Sequence, residues 1–326
     1  MEGVPNLADL AKNMDPDGKP ARIIEMLSQR NPILDDWVMM EGNLPTGERA
    51  TMRVGLPEPS FRRLNSGVPN TKSSEAQVDF TCAMLEDFSQ VDCKLAALSG
   101  DVGAYRMRKA KAHVQGFGIK AARTLFYGDE TVNPDEFTGL AHYFSDLSAE
   151  NADNIIDGGG TGSDNMSVWL IAWHEDVCHG IYPKGSMAGL SHEDLGKDVV
   201  QDSNGNNFTA FRDHWMWDLG LALKDWRYVS RGCNIDVSNL TKDASGSSAD
   251  LNDMLTSMIS RVESLDGVRA AWYGNRTFAE FIRKQRLYFT NVRIDMEQVQ
   301  GRKVTTIDGM PLRVVDALLN TESRVT

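Results

Sequence analysis

Residues 101–127 read DVGAYRMRKAKAHVQGFGIKAARTLFY, and in them Met107, Ala110, Val114, Phe117, Ala121 and Leu125 recur at intervals of three and four. That spacing places one apolar stripe on a helix. At 1.5 Å per residue the predicted helix, Asp101–Tyr127, spans about 40 Å, which suits bracing a flat or extended architecture. Gly116 and Gly118 should soften or bend it near its middle. The same stretch holds Arg106, Arg108, Lys109, Lys111, Lys120 and Arg123 against the single acid Asp101. The stripe should face the chain's own sheet and leave Arg106, Lys109, Lys120 and Arg123 outside.

Upstream lies Gly42–Ser74, broken by Pro45, Pro57, Pro59 and Pro69. ERATMRV inside it and SEAQVDFTCAML at its end alternate polar and apolar residues, so they read as the two strands of a long hairpin with an irregular, polar tip. Such a hairpin cannot bury itself in its own core and has to lie on another surface. Further upstream, Pro20–Gln29 reads as a short amphipathic helix in an N-terminal arm, closed by Asn31-Pro32.

Downstream of Asp146 the chain is β-rich. SVWLIAW and HGIYP around the turn HEDV predict a hairpin over Met166–Pro183, and QDSNGNN predicts a second turn before two further strands. Helical spacing returns in Asp250–Leu265 and Thr277–Tyr288, and Asp308-Gly309 should join two closing strands. The expected class is α+β.

The 326 residues carry a net charge of −12, which argues against general nucleic-acid binding. No run of 18 apolar residues exists to form a membrane-spanning helix, and the N-terminus lacks a secretory pattern. Cys82, Cys93, Cys178 and Cys233 show no CxxC pairing, so free thiols are expected. The charge is polarised. Thr124–Pro183 holds 11 acids and no lysine or arginine, whereas Gly42–Ser74 holds Arg49, Arg53, Arg62, Arg63 and Lys72 against Glu48 and Glu58. Copies of one chain could dock the basic loop on the acidic block through such polarity.

Apparent chemistry is thin. His174, Glu175, Asp176, His179 and His192 cluster in sequence, yet WHEDVCHG is not the HExxH zinc helix. Gly158–Gly162 lacks the Lys-Ser/Thr of a phosphate loop. Cys178 and His179 are adjacent on a predicted strand and so point to opposite faces. Trp215, Trp217 and Trp226 read as core or interface anchors. No catalytic residue, cofactor or metal is assigned.

Four stretches, in order, resemble the major capsid proteins of tailed phages that share the Hong Kong 97 fold. The arm with the loop Gly42–Ser74, and then the helix Asp101–Tyr127, are similar to that family's N-terminal arm, extended loop and spine helix. NPDEFTGLAHYF, directly after the helix, resembles its Pro-x-x-Phe-x-Gly-Leu turn, and GRKVTTIDGMPLRVVDALLNTE resembles its closing strands. NPILDDWVMMEGNLPTGERATMR and SAENADNIIDGGGTG are similar to the capsid proteins of certain short-tailed phages.

The resemblance implies an arm (1–40), an extended loop (41–80) and a peripheral domain with the spine helix (81–145). A mainly axial domain with some peripheral strands (146–295) and strands returning to the peripheral domain (296–326) complete the division. It further implies a shell subunit forming pentamers and hexamers around double-stranded DNA, made in the host cytoplasm and residing in the virion. Expected partners are other copies, a separate scaffolding protein, a portal and a decoration or cement protein, with only non-specific DNA contact and no membrane. Arg49, Arg53, Arg62, Arg63 and Lys72 would dock subunits, while Arg106, Lys109, Lys120 and Arg123 would line the shell's inner face. Lys72 is the loop's single lysine, the residue type that cross-links in some relatives. Two alternatives stand beside this reading: a metal-dependent hydrolase at His174, His179 and His192, and an encapsulin-like compartment shell.

Overall fold

The computed structural model describes residues 31–202, 204–244, 248–288, 294–299 and 302–326. The helix expected at Pro20–Gln29 lies outside them. Two mixed sheets, six α-helices and two short 3-10 helices form the regular structure of the described residues.

The loop reading holds. Strand β2 (Gly47–Gly55) pairs antiparallel with β3 (Ser74–Asp92), and residues 56–73 between them form no regular element. β3 runs beyond the expected strand: residues up to Thr81 pair with β2, and Cys82–Asp92 pair with β8 (Asn207–Leu223). The outer part of the hairpin is therefore a two-stranded ribbon, an arrangement marginal in water. β8 also pairs with β6 (Cys178–Tyr182) and β7 (Ser191–Gln201), and β1 (Met39–Glu41) pairs parallel with β6. Gly180 makes that last pairing possible, because a Cβ there would lie 2.4 Å from the indole nitrogen of Trp37. Trp37 itself follows the short helix α1 (Ile33–Asp36).

After β3 the chain turns through α2 (Cys93–Leu98) into the long helix α3 (Val102–Tyr127), one residue from its predicted start. The Asp101 carboxylate accepts from the Ala104 N–H at 3.0 Å and caps it. Gly116 and Gly118 fall inside an unbroken helix, with Leu34 against Gly118. The stripe is buried only in its C-terminal half. Ala121 and Leu125 enter the main core and Phe117 is buried, but Met107 and Val114 are exposed. The expectation that the whole stripe covers the subunit's own sheet is thus corrected. A 26-residue helix outruns the core that its C-terminal half occupies.

The second sheet has the order β11-β12-β13-β10-β5-β9-β4. Its strands are β4 (Ile155–Asp157), β5 (Asn165–Trp173), β9 (Val229–Asp236), β10 (Arg269–Gly274), β11 (Ile294–Val299), β12 (Arg302–Ile307) and β13 (Met310–Val314). β5 is buried along its whole length. Trp169, Ile171 and Trp173 face the core shared with α3 and the first sheet, while Met166, Val168 and Leu170 face α5 (Leu251–Arg261) and α6 (Arg276–Tyr288). Cover on both faces explains why its sequence is nearly continuously apolar. A four-residue helix, α4 (Leu140–Tyr143), adds Leu140 to the first core.

The predicted Met166–Pro183 hairpin does not form. β5 pairs with β9 and β10, whereas β6 pairs with β1 and β8 in the other sheet. The HEDV turn closes with a single bridge, His174 to Cys178, and the chain then changes sheets. The second predicted turn does join two paired strands, β7 and β8. The last turn, at Asp308 and Gly309, also forms, with φ of 49° and 79°. Positive φ at both central residues is the requirement that Asp-Gly meets in a two-residue hairpin.

Candidate functional site

The basic hairpin divides into a paired stem and a bare tip. Arg49 and Asp79 sit directly opposite across the ribbon, and the guanidinium donates to both carboxylate oxygens at 2.6 and 2.7 Å. That fork holds the Asp79 carboxyl below its ordinary range and raises Arg49. Arg53 faces Glu75 across the next pairs at 4.0 Å. Arg62, Arg63 and Lys72 lie in the exposed stretch 56–73 with no charged partner among the described residues. The tip also exposes large apolar side chains: Leu56, Phe61, Leu64 and Val68. Apolar residues in a proline-broken loop were visible in the sequence, yet the loop reads there only as polar.

The helix bases divide as well. Arg106 is not outside. It donates to Asp194 on β7 and Asp213 on β8, both at 2.7 Å, with its guanidinium 4.8 Å from the Phe211 ring centroid. Hydrogen bonding to Asp194 raises Arg106 and lowers the carboxyl. Lys109 lies over the Tyr105 ring, Lys120 pairs with Glu136, and Arg123 is exposed with no ion-pair partner among the described residues. Between the N-terminal half of α3 and strands β7 and β8 runs a groove of about 760 Å³. Met107, Ala110 and Val114 form one wall, and Trp215 with His192 stacked on it at 4.0 Å forms the other.

Several acids of the Thr124–Pro183 block are engaged inside the chain. Glu130 accepts from the Thr81 hydroxyl at 2.5 Å, Asp129 accepts from Thr131, and Asp153 pairs with Arg261.

The three histidines of the hydrolase alternative do not meet. His174 lies on the exposed sheet-changing turn, where its ring nitrogen and the carboxylates of Glu175 and Asp176 fall within 4.8 Å of one another. His179 is buried on β6 against Glu48 at 3.0 Å, and His192 bonds Asp213 at 3.0 Å. Burial raises the Cys178 thiol far above its ordinary value, and pushes Cys82 and Cys233 up to about 12, the opposite of nucleophile activation.

Two buried polar networks carry no sequence signal, because their members are distant in the chain. Asp36 accepts from Arg269 at 2.5 Å, from the Tyr273 hydroxyl at 2.9 Å and from Arg313 at 3.2 Å. Glu322 accepts from Arg231 at 2.8 Å, from Tyr127 at 2.5 Å and from Ser167. They fasten the first and last described segments to β5, β9 and β10.

The tip and the groove both leave apolar side chains open at the surface. Comparison with known proteins shows what such a chain is similar to. A chain of bacteriophage Epsilon15 is 35% identical, with a TM-score of 0.78, over 100% of this chain and 98% of that one. The bacteriophage JBD30 capsid shares the fold at 9% identity and a TM-score of 0.52, over 90% of this chain and 93% of that one. No curated protein matches. The family model for major capsid protein GP7 covers residues 15–326, so the chain belongs to the major capsid protein GP7 family, a structural component of the phage virion and not an enzyme.

Proposed function

We propose that copies of this chain close into pentamers and hexamers of an icosahedral phage head by laying the hairpin tip of each across its neighbour. Self-association follows from the family. The single observation that carries the finer reading is the tip itself: residues 56–73 are exposed at the end of a two-stranded ribbon with no third strand beside it among the described residues. In this reading the extended loop (41–80) and spine helix belong to the peripheral part, and 146–295 contains the axial domain. A separate scaffolding protein, a portal and a decoration protein complete the assembly, with packaged DNA met only non-specifically. Among the described residues no helix is long and apolar enough to cross a membrane.

Excising residues 56–73 tests the docking. Gly55 and Ser74 face each other across the stem, so an Asn-Gly pair can join them as a two-residue turn. The shortened subunit should keep its circular dichroism and urea midpoint while electron microscopy finds no closed shells. Shells at ordinary yield from that variant would refute the reading.

A further inference from the structure

We infer that Phe61 and Leu64 of the hairpin tip seat in the groove between α3 and strands β7 and β8 of a second copy, and that these apolar anchors, not the arginines between them, hold the contact. The inference rests on the docking reading above and names both of its partners. Phe61 and Leu64 are essentially fully exposed, at 108 and 96%, and Leu56 stands out at 79%. Burying one such side chain changes an association constant by about tenfold or more. Arg62 and Arg63 remain at an interface rim, where an ion pair is worth a factor of about five at most.

The groove supplies what the tip lacks. Its helix wall is the uncovered half of the α3 stripe, with Met107 67% exposed and Val114 43%. Its other wall presents Trp215 with His192 stacked on it. Arg106 and Lys111 line the groove together with Asp194 and Asp213, so its charge is balanced and what it offers the tip is apolar contact.

Tip and groove also lie at separate places on one sheet. The tip springs from Ser74 at the start of β3, and Trp215 pairs with Asp87 thirteen residues along it. At about 3.3 Å per residue they are roughly 40 Å apart. Knob and hole at two places on one subunit make a heterologous contact, which closes into rings when the rotation permits.

Two double variants of the full chain separate anchors from charges: Phe61→Ser with Leu64→Ser, and Arg62→Ser with Arg63→Ser. All four sites are exposed, so unchanged circular dichroism and urea midpoints establish that each subunit is folded. The anchor variant should lose shell yield at least tenfold, and the arginine variant should lose a few-fold and become more salt-sensitive. In a third arm, Phe61→Cys subunits are co-assembled with Val114→Cys subunits under mild oxidation. A disulfide-linked dimer should form well above the background that the native cysteines give in wild type. Normal assembly of the anchor variant with failure of the arginine variant would overturn the inference and leave loop docking standing. Normal assembly of both would remove loop docking as well. Failure of the anchor variant without the cross-link would overturn the groove as the seat.

Discussion

Replacing Glu322 with alanine should destabilise the isolated subunit by about 3 kcal/mol. The carboxylate and the Arg231 guanidinium are 6 and 4% exposed, so neither can recover its lost partner's energy from water. Removing one member of a buried pair costs about 3–5 kcal/mol, because the other charge is left uncompensated. The lower end applies here. Arg231 keeps the Phe144 carbonyl at 2.7 Å, the Ser167 hydroxyl at 3.0 Å and the Trp169 ring at 5.0 Å. The Tyr127 hydroxyl loses its acceptor but still accepts from the Leu319 N–H at 3.0 Å. Urea unfolding of unassembled subunits, followed by tryptophan fluorescence, reads the effect, and Tm should fall by about 6 °C at roughly 2 °C per kcal/mol. A double-mutant cycle with Arg231→Met separates the pair from its surroundings: the double variant should be more stable than the sum of the singles implies, by about 2 kcal/mol. A Glu322→Ala cost below about 1 kcal/mol, or strict additivity, would show that the network does not act as a buried ion pair.

Two further outcomes can be checked on the same subunit. Burial, reinforced by Lys224, holds the His179 pKa below its ordinary 6.5 although Glu48 opposes the shift. The unfolded chain then takes up the proton first, so the stability contributed by neutral His179 is complete above 6.5 and declines as pH falls below it. His179→Gln should flatten that part of the stability–pH curve, and an unaltered slope between the two proteins would contradict it. Changing His174, Glu175 and Asp176 together to alanine should leave shell yield within a few-fold of wild type. Calorimetric binding of a divalent metal that the triple variant loses, accompanied by failed assembly, would give that turn a structural ion.

Elements whose cause is local were legible. The three- and four-residue recurrence located α3 to within one residue, and Asp308-Gly309 located the last hairpin because only residues tolerating positive φ fit its turn. Where the cause is non-local, reading failed. The turn between β5 and β6 looks like any hairpin turn, and its first bridge does form. Nothing near it reveals that β6 finds Gly220–Leu223 and β1 instead. The stripe of α3 likewise told which face is apolar without telling how much of it the subunit covers.

Charge shows the same division between local count and distant pairing. Counted along Gly42–Ser74, five bases against two acids make the loop +3, with all four arginines equivalent. The acids that answer Arg49 and Arg53 lie just past that boundary, at Asp79 and Glu75, and register brings each opposite its base. Turning all four arginines to glutamate would set one new carboxylate against Asp79 and another against Glu75. Like charges directly opposite destabilise a strand pair, so a failed assembly could come from a damaged stem with the docking contact intact. Only Arg62, Arg63 and Lys72 can be reversed without touching the stem. Being exposed, they would set salt dependence and encounter rate more than hold a docking contact. If the tip docks as proposed, its binding energy has to come from the side chains that a charge count ignores.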